Sequence, residues 1–341
     1  MFISIFQKLL TLKNIMFLIL LTLFLIFIVK EQNIAILFFA SYVISCSLQP
    51  LVEKLSKKIN RSFAAFAVVI MLVILISAFF VPLIILASHE IRPLISNMPQ
   101  YLSGIKDFIL ALPFVDKTQL AQLEISDIVS TTTNFTSQFV NESINISKNF
   151  ASSIIYLLAA LIIIYYFLAD KKIINQTYLS LFPSNMKEKA QNIIDAISNK
   201  IGGYVIAQIT TMFSVGLLMT IGLLILRVDY AVLLGLITGI LDIIPVVGPA
   251  IALIICLVVS FKSGLLTLGL ITVVFAIAQW SENSLVRPFV FSKFLDLHPL
   301  IIYLFLFITA QNMGVVGVIF APAIAATVCV LIEELYIKNI N

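Results

Sequence analysis

Eight long apolar runs constrain this 341-residue chain more than any other feature. A bilayer core about 30 Å thick needs roughly 20 apolar residues of helix to cross it. The runs that qualify, or nearly do, are 14–29, 32–52, 63–88, 150–169, 204–226, 231–261, 264–281 and 299–332. Composition agrees, because 61% of the residues are hydrophobic and 11% are charged, whereas a soluble domain has about 25% charged residues. The sequence therefore predicts an all-α polytopic membrane protein.

Two polar segments separate these runs. Residues 89–149 predict a water-facing insertion of about sixty residues, in which Pro93, Pro99 and Pro113 punctuate short amphipathic helices such as 101–112. Residues 170–203 carry five lysines around isoleucines at helical spacing, which predicts an amphipathic helix at the membrane surface. The expected domains are 1–88 with three spans, the insertion 89–149, residues 150–203 with the fourth span and the surface helix, and a transport core at 204–341.

Lysine and arginine collect in the short loops that would lie on one side of the membrane. They occur at the N-terminus, after the second run and after the fourth, so the positive-inside rule places these segments in the cytoplasm. We expect a multi-pass protein of the cytoplasmic membrane with a cytoplasmic N-terminus and an external insertion. The net charge of +4 forms no basic patch interleaved with aromatic residues, and a nucleic-acid partner is not expected.

Two of the apolar runs are too long for one span and are interrupted by glycine and proline. Run 231–261 would be about 46 Å long as a straight helix, and its middle carries Pro245, Gly248 and Pro249. Run 299–332 is interrupted at Gly314 and Gly317. Paired broken segments of this kind indicate a transporter binding site. Each run is predicted to form two half-helices that meet at an elbow, and the pattern leaves open whether they cross the membrane or turn back as hairpins.

Asp242 and Glu282 are the most informative charged residues. A carboxylate at bilayer depth is costly and usually marks an ion or substrate path. The alternative for Asp242 is that it caps the half-helix beginning near Pro245. Glu282 and Asn283 are expected to close the span 264–281, where the alternative for Glu282 is an ion pair with Arg287 in a hydrated loop.

Polar residues on the run 204–226 complete the predicted site. Tyr204, Gln208 and Thr211 fall at helical spacing and could line one stripe, although hydrogen bonding between helices is the alternative role. The predicted substrate or ion path consists of Asp242, Glu282, Asn283, Tyr204, Gln208 and Asn312. The predicted structural elbows are Pro245, Gly248, Pro249, Pro288, His298, Pro299, Gly314, Gly317 and Pro322.

Five motifs between about 200 and 325 resemble, in order, those of the AI-2E family of transporters, which is named for autoinducer-2 export. They are Gly203-Tyr204-x-x-x-Gln208, Ile244-Pro245-Val-Val-Gly248-Pro249, Gln279-x-x-Glu282-Asn283 with Pro288, Leu297-His298-Pro299-Leu300, and Gly314-x-x-Gly317 with Ala321-Pro322. The resemblance implies a multispan carrier in the cytoplasmic membrane that moves a small polar metabolite or an ion. It also implies a homo-oligomer, for which a pentamer is one candidate.

The predicted function is gradient-driven secondary transport, as a permease or exporter, of a small polar metabolite or signal molecule. No nucleotide-binding motif is present, so we expect H⁺ or Na⁺ as a coupling ion, with no cofactor and no metal site. The first alternative is a cation/proton antiporter. A non-transporting assembly factor that uses the insertion is a second alternative. An enzyme is not expected, because the sequence has neither H-E-x-x-H nor G-x-S-x-G.

Overall fold

The computed structural model describes residues 22, 30–111, 150–245, 247–291 and 298–337. These residues are helical, with short turns between the helices and no strand among them. The predicted first span, 14–29, lies outside the described residues apart from residue 22, and so does 112–149, the larger part of the predicted insertion.

The described residues form ten α-helices, which we number in chain order. They are α1 (Gln32–Leu55), α2 (Arg61–Ala111), α3 (Phe150–Ala169), α4 (Lys171–Ser180), α5 (Lys187–Ile225), α6 (Ala231–Leu241), α7 (Val247–Val259), α8 (Leu265–Ser281), α9 (Arg287–Phe291) and α10 (Pro299–Ile332). A π-helical turn, Glu282–Val286, joins α8 to α9, and a second one, Glu333–Ile337, follows α10.

Five stretches of the described chain are long and apolar enough to cross a membrane, and α3 and α4 make a sixth if this pair, bent by 77°, is one span. The five are Gln32–Leu55, Arg61–Phe79, Ser184–Ile225, Leu265–Val290 and Leu300–Tyr336. The prediction of an all-helical, multi-pass membrane protein is therefore confirmed. The count of eight segments stays a prediction, because α6 and α7 are each shorter than a span and 14–29 is not described.

Helix α2 is longer than the sequence pattern suggested. It runs for 51 residues, well past the end of the apolar run at residue 88, and ends at Ala111. Pro93 and Pro99 both lie inside it, so the prediction that they separate short helices is wrong. A proline removes one backbone hydrogen bond and bends a helix, but helix-forming residues on both sides of these prolines continue it. The described start of the predicted insertion is thus a helical extension of a span.

Helix α5 also joins two segments that were predicted to be separate. It has 39 residues and unites the lysine-rich part of 170–203 with the run 204–226. At 1.5 Å per residue it is about 58 Å long, nearly twice a bilayer core. The helix boundary lies before α5 and not near residue 203. Between α4 and α5, Pro183 precedes the short 3₁₀ turn Ser184–Met186.

Three buried apolar clusters hold the helices together. The first joins α1, α2 and α3 through Val52, Ala64, Ala65, Val68, Val69, Ile164, Leu168 and Ala169. The second joins α5, α6, α7 and α8 and contains Val215, Met219, Leu223, Val228, Ala231, Leu233, Leu234, Cys256, Val259, Ile271 and Ala278. The third, between α1, α5 and α10, is formed by Val43, Cys46, Ile201, Tyr204 and Ala323.

Glycine permits the closest helix contact at the third cluster. A Cβ atom on Gly202 of α5 would collide with the Cys46 carbonyl group of α1. Only a residue without a side chain fits where two backbones approach this closely. The contact fixes α5, which carries part of the candidate site, against the N-terminal helices.

Candidate functional site

The candidate site is built around a tight reversal of the chain between α6 and α7. Helix α6 ends at Leu241, and α7 begins at Val247. A Cβ atom on Gly248 would overlap the Leu241 carbonyl oxygen, and the Gly248 N–H donates to the Ile244 carbonyl oxygen at 2.9 Å. The two short helices are therefore packed together at their ends, with Asp242 at the turn.

Asp242 is almost completely buried, with 1% of its surface exposed. Neither carboxylate oxygen accepts a hydrogen bond from a described donor, and the carboxyl group of Glu282 lies within hydrogen-bonding reach of it. The capping interpretation is therefore wrong. Asp242 is the C-cap of α6, where the free backbone groups are carbonyls rather than the N–H groups that a carboxylate could accept from. A helix C-terminus is also an electrostatically unfavourable place for a negative charge.

Glu282 is equally buried, with 1% exposed, but its oxygens have donors. The Arg287 Nε donates to its Oε1 at 2.6 Å, and the Arg287 Nη2 approaches the same oxygen at 2.5 Å. Gln279 Nε2 donates to Oε2 at 3.2 Å. The pairing with Arg287 thus occurs, but in a buried helical segment and not in a hydrated loop.

The π-helical turn explains this pairing. Its hydrogen bonds close over five residues instead of four, and the Arg287 N–H donates to the Glu282 carbonyl oxygen. Residues 282 and 287 therefore come to the same side of the helix. The expectation that Glu282 closes its span is wrong, because the apolar helical stretch continues from Leu265 to Val290.

We call Asp242, Glu282 and Arg287 the carboxylate cluster. Glu282 and Arg287 are the charged neighbours of the Asp242 carboxylate. Arg287 is one-third exposed, while the two acids are buried. The cluster thus holds two negative groups and one positive group, and its positive group is the one that reaches the surface of the chain.

Helix α5 supplies the polar groups beside the cluster. Gln208 Nε2 donates to the Asp242 backbone oxygen at 3.2 Å in a buried position, and so holds the turn rather than the carboxylate. Tyr204 is 5% exposed, its hydroxyl donates to the Ile319 carbonyl oxygen of α10 at 3.4 Å, and Arg287 is its charged neighbour. The structure therefore brings together four of the six predicted path residues: Asp242, Glu282, Tyr204 and Gln208.

The other two predicted path residues are exposed and hydrogen bonded within their own helices. Asn283 Nδ2 donates to the Gln279 carbonyl oxygen at 2.8 Å, and Asn312 Nδ2 donates to the Ile308 carbonyl oxygen at 2.7 Å. In the described part of the chain, no hydrogen bond links either asparagine to the carboxylate cluster. Adjacent residues of a helix point about 100° apart, which separates Asn283 from its buried neighbour Glu282.

A second irregular point lies within α10. Gly314 has non-helical backbone angles, φ 59° and ψ −142°, where two helical segments meet at a kink. A Cβ atom on Gly317 would collide with the Thr309 carbonyl oxygen. Only glycine adopts this conformation and permits this approach readily. Pro322 lies further along, inside the helix and between two buried alanines.

His298 and Pro299 lie at the start of α10, and Pro288 lies inside a helical stretch. His298 is the N-cap of α10, and its Nδ1 accepts a hydrogen bond from the Leu300 N–H at 3.3 Å. Pro288 lies within the continuous helical stretch Leu265–Val290, whereas Pro299 is the first residue of α10. Proline is tolerated in the first helical turn because the N–H that it lacks would have no partner there.

Sequence reasoning did not include Arg287 in the path. A straight α-helix brings together residues three or four apart, so a spacing of five allowed the contact between Glu282 and Arg287 only in a loop, as the alternative for Glu282 assumed. The available signal was a basic residue inside a stretch that remains apolar on both sides of it. That signal was attributed to a loop because the apolar run ends at Ser281.

A large cavity of about 940 Å³ lies elsewhere, between α1, α4, α5 and α10. Its lining is mostly apolar and includes Phe38, Phe39, Phe167, Phe182, Ile193 and Ile197. No member of the carboxylate cluster lines it. The cavity and the cluster are therefore separate features of the fold.

The cluster has the chemistry of a site for one small cation. The ion pair between Glu282 and Arg287 balances its own charge, which leaves Asp242 uncompensated. A buried ionised carboxylate without a partner is so costly that it takes up a proton or a cation. Carboxylate oxygens are hard ligands, suited to hard cations.

The chain matches a known protein family and is similar to several known proteins. The family model described as AI-2E family transporter matches residues 15–337. The chain is similar to two Bacillus subtilis proteins: "Putative transport protein YueF" (27% identity, 82% of this chain and 78% of that protein) and "Putative transport protein YrrI" (25% identity, 54% and 53%). It is also similar to the "Sodium-lithium/proton antiporter" of Halobacillus andaensis (24% identity, 78% and 79%).

The match to YrrI spans only about half the length of that relative, 53%. The family model, by contrast, covers nearly all of this chain, including the described helices and both irregular points in its C-terminal part. The spans, the broken apolar segments and this match together identify the chain as a membrane transport protein of the AI-2E transporter family.

Proposed function

We propose that this protein exchanges an alkali cation such as Na⁺ or Li⁺ for a proton across the membrane, with Asp242 as the residue that binds them in turn. The observation that carries the proposal is the Asp242 carboxylate, which is 1% exposed and accepts no hydrogen bond from a donor in the described structure. A buried carboxylate that binds either a proton or an alkali ion is the minimal requirement for such exchange. It cannot hold both at once, which couples the two movements.

The surroundings of Asp242 support this role. It lies at the turn between two short helices, and broken helices of this kind commonly form ion sites in secondary transporters. Gly248 and Pro249 keep this turn compact, while Gln208 holds its backbone from α5. A binding group on such an elbow can become accessible to either side through a small movement of the half-helices. The name of the Halobacillus andaensis relative is consistent with the proposal.

Export of a small polar metabolite was the first expectation from the sequence, and it has less support. The cavity of about 940 Å³ is large enough for an organic molecule, but its wall is mostly apolar. The carboxylate cluster is built from buried charges and packed side chains, which suit an ion. A cytoplasmic N-terminus, a homo-oligomer and the absence of enzymatic activity stay predictions.

The test uses purified protein in liposomes with an imposed pH gradient and a pH-sensitive dye inside. Addition of Na⁺ or Li⁺ is expected to dissipate the gradient with wild-type protein. Asp242→Asn is expected to abolish this effect, because an amide neither ionises nor exchanges a proton. The matched control is Asp229→Asn, the same chemical change at an exposed position, which should behave as wild type.

The proposal is overturned if folded wild-type protein gives no cation-dependent proton movement, or if Asp242→Asn retains it. Folding is checked by a single symmetric peak in size-exclusion chromatography. Choline chloride replaces the alkali salt to exclude an effect of ionic strength.

A further inference from the structure

We infer that Arg287 sets the charge of the transport site, so that each cycle exchanges one alkali ion for one proton and moves no net charge. This inference rests on the proposed function and extends it to stoichiometry. It follows from the charges of the carboxylate cluster: Asp242 and Glu282 contribute two negative charges, and Arg287 contributes one positive charge. One mobile positive charge is therefore needed to neutralise the cluster.

The contacts show why Arg287 belongs to the site and is more than a surface residue. Its guanidinium group approaches Glu282 through both Nε and Nη2, and such charge-assisted contacts are the strong ones in proteins. It is also a charged neighbour of Asp242. An arginine stays protonated under all conditions of interest, so its charge is permanent and does not titrate away with the transported proton.

The burial of the two acids limits the charge that the site can hold. Both carboxylates are 1% exposed, so water does not screen a surplus charge on either of them. With Asp242 ionised and empty, the cluster carries one uncompensated negative charge in a buried place. With a proton or one monovalent ion bound, it is neutral. Two protons on the cluster would neutralise both carboxylates and break the ion pair between Glu282 and Arg287.

The other described residues that hydrogen bond at the cluster add no charge to this count. Gln208 and Gln279 are amides and carry no charge. The Tyr204 hydroxyl group donates a hydrogen bond to a backbone carbonyl oxygen. Among the described residues, Lys200 and Glu333 form an ion pair of their own.

The decisive measurement is the zero-flux point of wild-type protein in liposomes. At a fixed pH difference, the Na⁺ ratio across the membrane is varied until no proton flux follows, with the potential clamped by K⁺ and valinomycin. For exchange of one Na⁺ for one H⁺, flux stops when the Na⁺ ratio equals the H⁺ ratio, at any potential. If two protons move per Na⁺, the zero-flux Na⁺ ratio follows the square of the proton ratio and shifts by about 50-fold per 100 mV.

A zero-flux point that does not move with the potential supports the inference, and a shift of this size overturns it. Either outcome differs from failure of the proposed function, in which Na⁺ would cause no proton flux at all.

Two variants test the role of Arg287 separately. Glu282→Gln should abolish exchange, because the positive charge of Arg287 then neutralises Asp242 in place of the transported ion. The double variant Glu282→Gln with Arg287→Gln again has a single negative charge on Asp242. It should regain exchange with the zero-flux point of the wild type.

If the ion pair only stabilised the fold, the double variant should exchange ions no faster than the single variant Glu282→Gln. A folded double variant without exchange would therefore overturn the role given to Arg287. The zero-flux point of the wild type tests the stoichiometry even if a variant does not fold.

Discussion

The two ends of the described chain use apolar helices in different ways. Helices α1, α2 and α3 meet in a cluster of aliphatic side chains, and no carboxylate is buried in these helices as far as they are described. Helices α5 to α9 have a comparable apolar cluster, but they enclose both buried carboxylates, Asp242 and Glu282. The first region is held together mainly by apolar packing where it is described. The second region also buries two carboxylates, which is unfavourable unless the charges are compensated.

The difference also appears in the backbone. Helices α2 and α5 run far beyond the length of a membrane span without a break. The region around the cluster has a reversal at Asp242, a π-helical turn at Glu282–Val286 and a glycine kink at Gly314. Irregular backbone at membrane depth is tolerated where protein covers it or water reaches it. On the proposed function, we call α1, α2 and α3 the support, and the irregular region around the cluster, to which α5 contributes, the transport region.

Leu168→Ala should produce the largest loss of stability. Leu168 is completely buried in the cluster of α1, α2 and α3, and truncation of such a side chain costs about 2–5 kcal/mol. The free energy of unfolding, measured in mixed detergent–SDS micelles, should fall by this amount. Leu157→Ala, on an exposed position of the same helix, is the matched control.

Cation exchange per folded Leu168→Ala molecule should be unchanged. A changed affinity for Na⁺ in this variant would break the distinction between support and transport region, because the site would then depend on packing in the N-terminal helices.

Gly248→Ala should have an intermediate effect on stability and a strong effect on transport. The added Cβ would collide with the Leu241 carbonyl oxygen, and overpacking of this kind costs about 1–3 kcal/mol. The reversal that carries Asp242 would have to open, so exchange should fall even in protein that remains folded. The measurements are unfolding in mixed micelles and Na⁺-dependent proton flux.

Gly269→Ala in α8 is the control, since no atom lies within 4 Å of the added Cβ. It should be neutral or slightly stabilising, because alanine favours a helix more than glycine does. Normal exchange by a destabilised Gly248→Ala variant would contradict the role of the reversal in transport.

Lys171→Met should have the smallest effect. Lys171 Nζ lies 3.3 Å from Glu53 Oε1, and the Glu53 side chain is half exposed. Exposed ion pairs of this kind contribute about 0.2–1 kcal/mol. Stability should therefore fall by less than about 1 kcal/mol, with a smaller difference at high salt, and exchange should not change.

Lys172→Met, at the neighbouring exposed position, is the control for loss of charge alone. A larger effect of Lys171→Met on exchange than on stability would show that this ion pair contributes to transport. The transport region would then extend to α1 and α4.

The sequence was sufficient for the helical class and for most spans, because the length of an apolar run is fixed by the thickness of the bilayer. It was weaker where the outcome depends on tertiary packing. Pro93 and Pro99 look like helix ends, yet α2 passes through both. The lysine-rich segment before Gly202 looks like a separate surface helix, yet α5 is continuous through it.

The candidate site was also predictable only in part. Asp242 and Glu282 stand out because charges are rare in apolar runs, and both are buried. Whether backbone N–H groups can donate to Asp242 depends on which helix end it occupies, which local sequence did not specify. Arg287 was missed because a π-helical turn changes the spacing of contacts. Asn283 and Asn312 were included as polar residues near the motifs, but polarity alone does not determine which way a side chain faces.

The unbroken course of α5 has a mechanical consequence. One rigid rod of about 58 Å connects the lysine-bearing segment that starts at Lys187 with Gln208, which holds the turn of Asp242. A force or a change of lipid charge that tilts the outer end of this rod is transmitted to the ion site without any intervening hinge. The lipid composition at the membrane surface would thereby change the position of the turn that carries Asp242.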